Sequence, residues 1–95
     1  MKAVVLRSYI KRDGDRLDFL GLGSDYDYDP VWAECVRLGV AATFHTSAVF
    51  GARNAIPNYS YNHIGSRAAG GEAIAKALFM GGVTQRFPEL NFAFF

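Results

Sequence analysis

The stretch from residue 29 to residue 45, DPVWAECVRLGVAATFH, indicates the fold because it contains a complete helix followed at once by a buried strand. Pro30 suits the start of a helix, where its missing N–H would be unpaired in any case, and Asp29 is the expected N-cap. Gly39 ends the helix because glycine adopts the left-handed conformation at little steric cost. The apolar run that follows predicts a short strand ending at His45.

The same alternation of strand and helix continues on both sides of this stretch. Upstream, Ala3–Leu6 is a short apolar run typical of a strand buried on both faces, and residues 7–29 form a polar, turn-rich surface connection. Downstream, we predict a helix from about Gly65 to Met80, ended by Gly81-Gly82, and a third strand over Leu90–Phe95. The order β-α-β-α-β predicts an α/β fold with parallel strands and right-handed crossovers.

Apolar side chains at helical spacing predict which faces of the two helices are buried. Trp32 and Cys35 lie on one face of the first helix. Cys35 has no basic neighbour that would stabilise a thiolate, so we expect it to pack in the core. The predicted stripe of the second helix comprises Ile64, Ala68, Ile74, Ala75, Leu78 and Phe79.

Length and composition restrict the class of protein. The 95 residues make one domain at most, and three strands in this length match the ~31 residues per unit of a (β/α)8 barrel. The net charge is +1 with 20% charged residues, which argues against a nucleic-acid partner. No apolar run approaches the ~20 residues of a membrane span, so no membrane partner is expected. A single cysteine excludes an internal disulfide and fits a reducing, cytoplasmic location.

Three side chains are candidates for chemistry. Active sites of parallel α/β proteins lie beyond the carboxyl ends of the strands, which is the predicted position of His45. His45 is either a metal ligand or a histidine hydrogen-bonded at the top of the core. His63 either lines the pocket above His45 or lies on the surface near the second helix. Arg53, in the loop after the second strand, either pairs with a substrate carboxylate or is solvated.

Two segments of the chain resemble the amidohydrolase-related family, the branch with aminocarboxymuconate-semialdehyde decarboxylase and related metal-dependent hydrolases. The resemblance covers most of residues 30–95, and Lys2–Leu6 fits an earlier strand. The matching residues are DPVWAE at 29–34, LGV at 38–40, TFH at 43–45, GGV at 81–83, RFP at 86–88 and LNF at 90–92.

This resemblance implies a (β/α)8 TIM barrel with a divalent metal, often zinc, at its carboxyl face. His45 matches the histidine that ends the fifth strand of the family. The family's H-x-H pair would precede Met1, and its aspartate would follow Phe95. The resemblance therefore implies that residues 1–95 are a single partial domain, the central portion of a barrel, with one metal ligand of several.

The corresponding functional expectation concerns the parent enzyme rather than this chain alone. The parent would hydrolyse a small-molecule substrate or decarboxylate it without oxidation. The isolated chain would be inactive, because a catalytic zinc site needs about three protein ligands. Two alternatives stay open. One is a non-catalytic α/β binding module that forms a homo-oligomer, and the other is a different (β/α)8 enzyme that does not use His45 as a ligand.

Overall fold

The computed structural model describes residues 2–45 and 57–95 of the chain, which form one α/β unit. The strands are β1 (Lys2–Leu6), β2 (Ile10–Lys11), β3 (Leu17–Asp18), β4 (Val40–Phe44) and β5 (Phe92–Phe94). The helices are α1 (Asp29–Leu38), α2 (Tyr59–Met80) and α3 (Val83–Arg86), and a 3₁₀ turn covers Asp13–Asp15.

The sheet that organises the fold has three parallel strands in the order β1-β4-β5. Leu6 pairs with Phe44, and Phe44 in turn pairs with Phe94, so the carboxyl ends of the strands are aligned. The predicted α/β class and parallel arrangement are confirmed. Three strands do not close a barrel, so the (β/α)8 architecture stays a prediction.

The central strand is buried as expected, but β1 is not. Four of the five residues of β4 are buried, whereas Val5 of β1 is 68% exposed. The prediction that β1 is buried on both faces is therefore wrong. The physical reason is that Val4 and Leu6 pack against the core while Val5 lies on the opposite face, on a strand that has a neighbour, β4, on one side only.

The end of α1 is as predicted, whereas its start differs. Gly39 follows the helix with φ of 63°, in the left-handed region that favours glycine. Asp29 is the first helical residue rather than the N-cap, a position that Tyr28 occupies. The Asp29 carboxylate instead accepts two hydrogen bonds from Arg86, from Nε at 2.7 Å and Nη2 at 2.9 Å. A paired guanidinium binds a carboxylate more strongly than a neutral backbone amide does.

Helix α2 starts earlier than the sequence pattern indicated, at Tyr59 instead of about Gly65. The Asn58 side chain accepts a hydrogen bond from the backbone N–H of Tyr61 at 2.9 Å, which is a favourable N-cap. The predicted start was late because the first turns, rich in tyrosine and polar residues, carry no apolar periodicity. Gly81 ends the helix as predicted.

The buried face of α2 agrees only in part with the predicted stripe. Ile74 and Leu78 are buried, but Ile64 is 67% exposed and Phe79 is 73% exposed. The residues that α2 buries follow a spacing of four: Ser66, Gly70, Ile74 and Leu78. The buried positions in the first half of this face carry small residues, so a pattern of bulky apolar side chains does not reveal them.

The segment 7–29 is more than a surface connection. It contains the antiparallel pair β2–β3, and it buries Ser8, Asp18 and Leu20. Its chain also packs directly on α2: the backbone N–H of Leu22 donates to the Ala77 carbonyl oxygen at 3.0 Å. Polar composition hid this packing, because Asp18 is held by side-chain hydrogen bonds and only Leu20 of these three residues belongs to the hydrophobic core.

One hydrophobic core lies between the sheet and the helices. The Trp32 ring, 1% exposed, lies 6.3 Å from the Phe44 ring and 5.9 Å from the Phe92 ring, both edge-on. Cys35 is buried in the same cluster, and burial raises the pKa of its thiol, which confirms a packing role. The other buried members of the cluster are Leu20, Ala42, Ile74, Leu78, Val83 and Leu90. Across residues 2–45 and 57–95, no helix combines the length and the apolarity needed to cross a membrane.

Candidate functional site

The candidate site lies at the carboxyl edge of the parallel sheet, where His45 follows the central strand. The His45 backbone N–H donates to the Leu6 carbonyl oxygen at 3.2 Å, so the strand ladder continues to this residue. On the other side, the Phe95 N–H donates to the Phe44 carbonyl oxygen at 2.9 Å. These bonds hold the backbone at His45 between the ends of β1 and β5.

The imidazole of His45 is directed away from the core. Side chains alternate along a strand, so His45 shares its face with Thr43, while Ala42 and Phe44 belong to the core cluster under the helices. His45 is exposed, in contrast to the buried residues that precede it. The imidazole at this strand end is therefore accessible to a ligand. The expected position of His45 is confirmed, and its role as a metal ligand stays a prediction.

The residues present do not by themselves form a metal site. Over the described ranges, 2–45 and 57–95, no group of three or more histidine, cysteine, aspartate or glutamate side chains gathers around a common point. A catalytic zinc site requires about three such ligands. The chain therefore offers one candidate ligand, and the set that the family resemblance implies would have to be completed by residues outside it.

His63 lies in α2, one turn after the start of the helix. Its ring centroid is 5.4 Å from that of Tyr59, with the two rings tilted by 32°. His63 is exposed and borders a groove whose opposite wall is formed by Phe94 and Phe95, at the carboxyl end of β5. The structure thus places His63 at the end of the strand next to β4. The third predicted site residue, Arg53, lies outside the described residues.

A polar cluster that the sequence analysis missed surrounds Asp18. Its Oδ2 accepts hydrogen bonds from the Tyr28 hydroxyl at 2.9 Å, the Ser24 hydroxyl at 3.0 Å and Arg12 Nη2 at 3.2 Å. Its Oδ1 accepts from the backbone N–H of Leu20 at 3.0 Å. The only signal in the sequence is an aspartate inside the otherwise apolar run Leu17–Leu20.

The Asp18 cluster has a structural role. Burial favours the neutral acid, but hydrogen bonds from Leu20, Tyr28, Ser24 and Arg12 outweigh it and hold the pKa of Asp18 below its usual value. The Arg12 guanidinium also lies 4.1 Å from the centre of the Tyr26 ring. Because the carboxylate oxygens are already engaged, this cluster does not offer a free base or a metal ligand. It fixes the segment between β3 and α1.

Replacing Asp18 with asparagine is expected to lower the free energy of unfolding by about 1–3 kcal/mol at pH 7, because an amide group would face hydrogen-bond donors. The pKa of Asp18 is lower in the folded chain, so its contribution is complete above the unfolded pKa of about 3.9 and is lost as pH falls through the folded pKa. Urea unfolding of both proteins between pH 2 and pH 7 measures the difference.

The exposed Asp13→Asn variant is the matched control for that series, since it removes the same charge without a buried partner. We expect the difference in free energy of unfolding between wild type and Asp18→Asn to narrow only below pH ~4, where Asp18 of the unfolded chain binds a proton before the folded carboxylate does. If the difference in free energy of unfolding between wild type and Asp18→Asn stays constant down to pH 2, the charged Asp18 carboxylate is not the source of the stabilisation.

No family model, curated protein or solved structure matches this chain. The case for a function therefore rests on the position of His45 at the carboxyl edge of a parallel sheet.

Proposed function

We propose that this chain forms the central part of a metal-dependent, amidohydrolase-related enzyme, in which His45 is one ligand of a divalent metal, most simply zinc. The observation that supports the proposal is the exposed imidazole of His45 at the carboxyl end of the central parallel strand. In this architecture, that edge carries the catalytic groups. The proposed reaction of the parent is hydrolysis or non-oxidative decarboxylation of a small substrate.

Two further residues belong to the same proposal. His63 borders the groove next to the end of β5 and would contact the substrate from α2. Arg53 would pair with a carboxylate of the substrate. We place the enzyme in the cytoplasm, where the buried thiol of Cys35 stays reduced.

The metal content of the protein encoded by the complete reading frame around this chain tests the assignment of His45. We expect His45→Ala to weaken metal binding by at least about tenfold, because loss of even a residue that orients a ligand costs about 10–100-fold. His63→Ala is the matched control and should retain the metal. Equal metal content in wild type and His45→Ala, measured by mass spectrometry on purified protein, would contradict the assignment.

The coding DNA on both sides of the segment provides an independent test. An upstream H-x-H and a late aspartate in one continuous reading frame would support a metal-dependent barrel. Start and stop codons that directly flank these 95 residues would instead favour a module without the other ligands.

A specific observation favours a second function, that of a non-catalytic α/β module that forms a homo-oligomer. In helix α2, Ile64 and Phe79 are 67% and 73% exposed, beside the face that the helix buries. Exposed apolar patches of this kind mark interaction surfaces. Dependence of the molecular mass on protein concentration, in the absence of metal, distinguishes this function from the first.

A further inference from the structure

A second apolar stripe follows α2 next to the face that the helix buries in the core, with Gly71 and Ala75 half-buried and the other members exposed. It consists of Ile64, Ala68, Gly71, Ala75 and Phe79, which we call the α2 stripe. At about 100° per residue, these positions fall within about 80° of the helix circumference, so they share one face. The two bulky members are among the most exposed apolar side chains of the described residues.

The pattern of side-chain sizes along the α2 stripe is symmetric. Ile64 and Phe79 lie at equal distances from the midpoint of the stripe, between Gly71 and Glu72, and Ala68 and Ala75 also lie at equal distances from it. The order bulky, small, small, bulky is thus symmetric at four of the five positions, and Gly71 is the exception because Glu72 occupies the equivalent position. A twofold interface requires this property, because each surface must be complementary to itself.

An antiparallel copy of α2 would complement this pattern. Ile64 would then lie opposite the partner's Phe79, and Ala68 opposite the partner's Ala75. The small residues at the centre permit the two helix axes to approach to about 8 Å, the near end of the usual range. The bulky residues at both ends would close the contact against water.

The charge distribution of α2 also favours coverage of this face. The helix has 22 residues, of which Arg67, Glu72 and Lys76 are the only ones with a full charge. Glu72 and Lys76 form an ion pair of 2.6 Å beside the stripe, so the carboxylate nearest the midpoint already has a cation partner. A helix that is apolar around most of its circumference is normally buried.

The available apolar area suits a small interface. The groove beside the stripe continues to Phe94 and Phe95, which are 40% and 72% exposed. Each aromatic side chain buries about 150–250 Å² when it is fully covered. The patch therefore reaches several hundred Å² per copy, in the range of interfaces below about 1,200 Å² in total that form weak, concentration-dependent dimers.

We propose that two copies of this chain associate through the α2 stripe as an antiparallel, twofold dimer. The inference rests on the second proposed function, to which it adds the interface and the partner. It does not involve His45, but it is an alternative to the first proposed function, in which the groove between His63 and Phe95 would receive the substrate.

Sedimentation equilibrium of the 95-residue chain, from micromolar to millimolar concentration, tests the proposal with two variants. Ile64→Lys and Phe79→Glu each place a charge opposite an apolar residue at both ends of the dimer. We expect each to raise the Kd about 30-fold, as for loss of an interface hot spot. Circular dichroism melts check that both variants stay folded, as their exposure leads us to expect.

An equimolar mixture of the two variants tests the antiparallel geometry itself. In a mixed dimer, the introduced lysine lies opposite the introduced glutamate at one end, while Phe79 and Ile64 meet at the other. We therefore expect the mixture to associate more tightly than either variant alone. Leu38→Lys, at a residue of α1 that is 54% exposed, is the control and should leave the Kd unchanged.

Three results would overturn the proposal. The first is a wild-type chain that stays monomeric over the whole concentration range. The second is association that persists in both variants, which would identify another surface as the interface while leaving the oligomeric module in place. Association that is lost in both variants but not regained in the mixture would exclude the antiparallel arrangement.

Discussion

Gly21→Ala is expected to lower the free energy of unfolding by about 3 kcal/mol or more, because no space exists for a methyl group. A Cβ at this position would lie 2.4 Å from the carbonyl oxygen and 2.6 Å from the carbonyl carbon of Ala77. Both are backbone atoms of α2, so no side chain can rotate away. The shift needed would also break the hydrogen bond from the Leu22 N–H to Ala77.

Gly23→Ala is the matched control for this substitution. Gly23 has φ of +76°, and an added Cβ would meet nothing within 4 Å. Its cost is therefore only the strain of a left-handed alanine, about 1–2 kcal/mol. Urea unfolding of the three proteins measures the difference, and equal destabilisation by the two substitutions would contradict the close contact between Gly21 and α2.

Trp32→Ala is expected to lower the free energy of unfolding by about 3–5 kcal/mol. This is a large part of the 5–15 kcal/mol that stabilises a typical small domain. Trp32 is 1% exposed, and its ring contacts the edges of Phe44 on β4 and Phe92 on β5. Removal of the indole leaves a cavity between α1 and two strands of the sheet. Thermal unfolding followed by circular dichroism measures the loss.

Trp32→Phe is the informative comparison. The Trp32 Nε1 group is buried and has no hydrogen-bond partner among the described residues, so its desolvation is not offset. Phenylalanine keeps the aromatic contacts and removes this group, so we expect roughly half the cost of Trp32→Ala or less. If Trp32→Ala and Trp32→Phe lower the free energy of unfolding equally, the ring contacts with Phe44 and Phe92 are not the source of the stabilisation.

Local signals in the sequence were sufficient to predict the main elements. Pro30 and Gly39 mark the ends of α1 within one residue. Proline restricts the backbone angle φ and glycine permits positive φ, regardless of what surrounds them. The apolar run after Gly39 predicted β4, and His45 lies at its end as expected. The candidate ligand could be found from the sequence because the position of a strand end follows from local pattern.

The tertiary structure decided which surfaces of these elements are buried. Ile64 and Phe79 have the same apolar character as Ile74 and Leu78, yet they are exposed while the latter are buried. Which side of a helix is buried depends on the elements that pack against it, and helical periodicity does not encode them. The same reason explains the Asp18 cluster, since its partners come from positions up to 10 residues away.

What the sequence by itself determined is the order of the three parallel strands and the two long helices, the end of α1 and the place of His45, because each follows from the backbone preferences of neighbouring residues. Only the tertiary structure decided the edge position of β1, the ion pair between Asp29 and Arg86, 57 residues apart, and the contact of Gly21 with α2. These features depend on distances between segments that are remote in the chain. Such distances result from the packing of the whole core rather than from any local pattern.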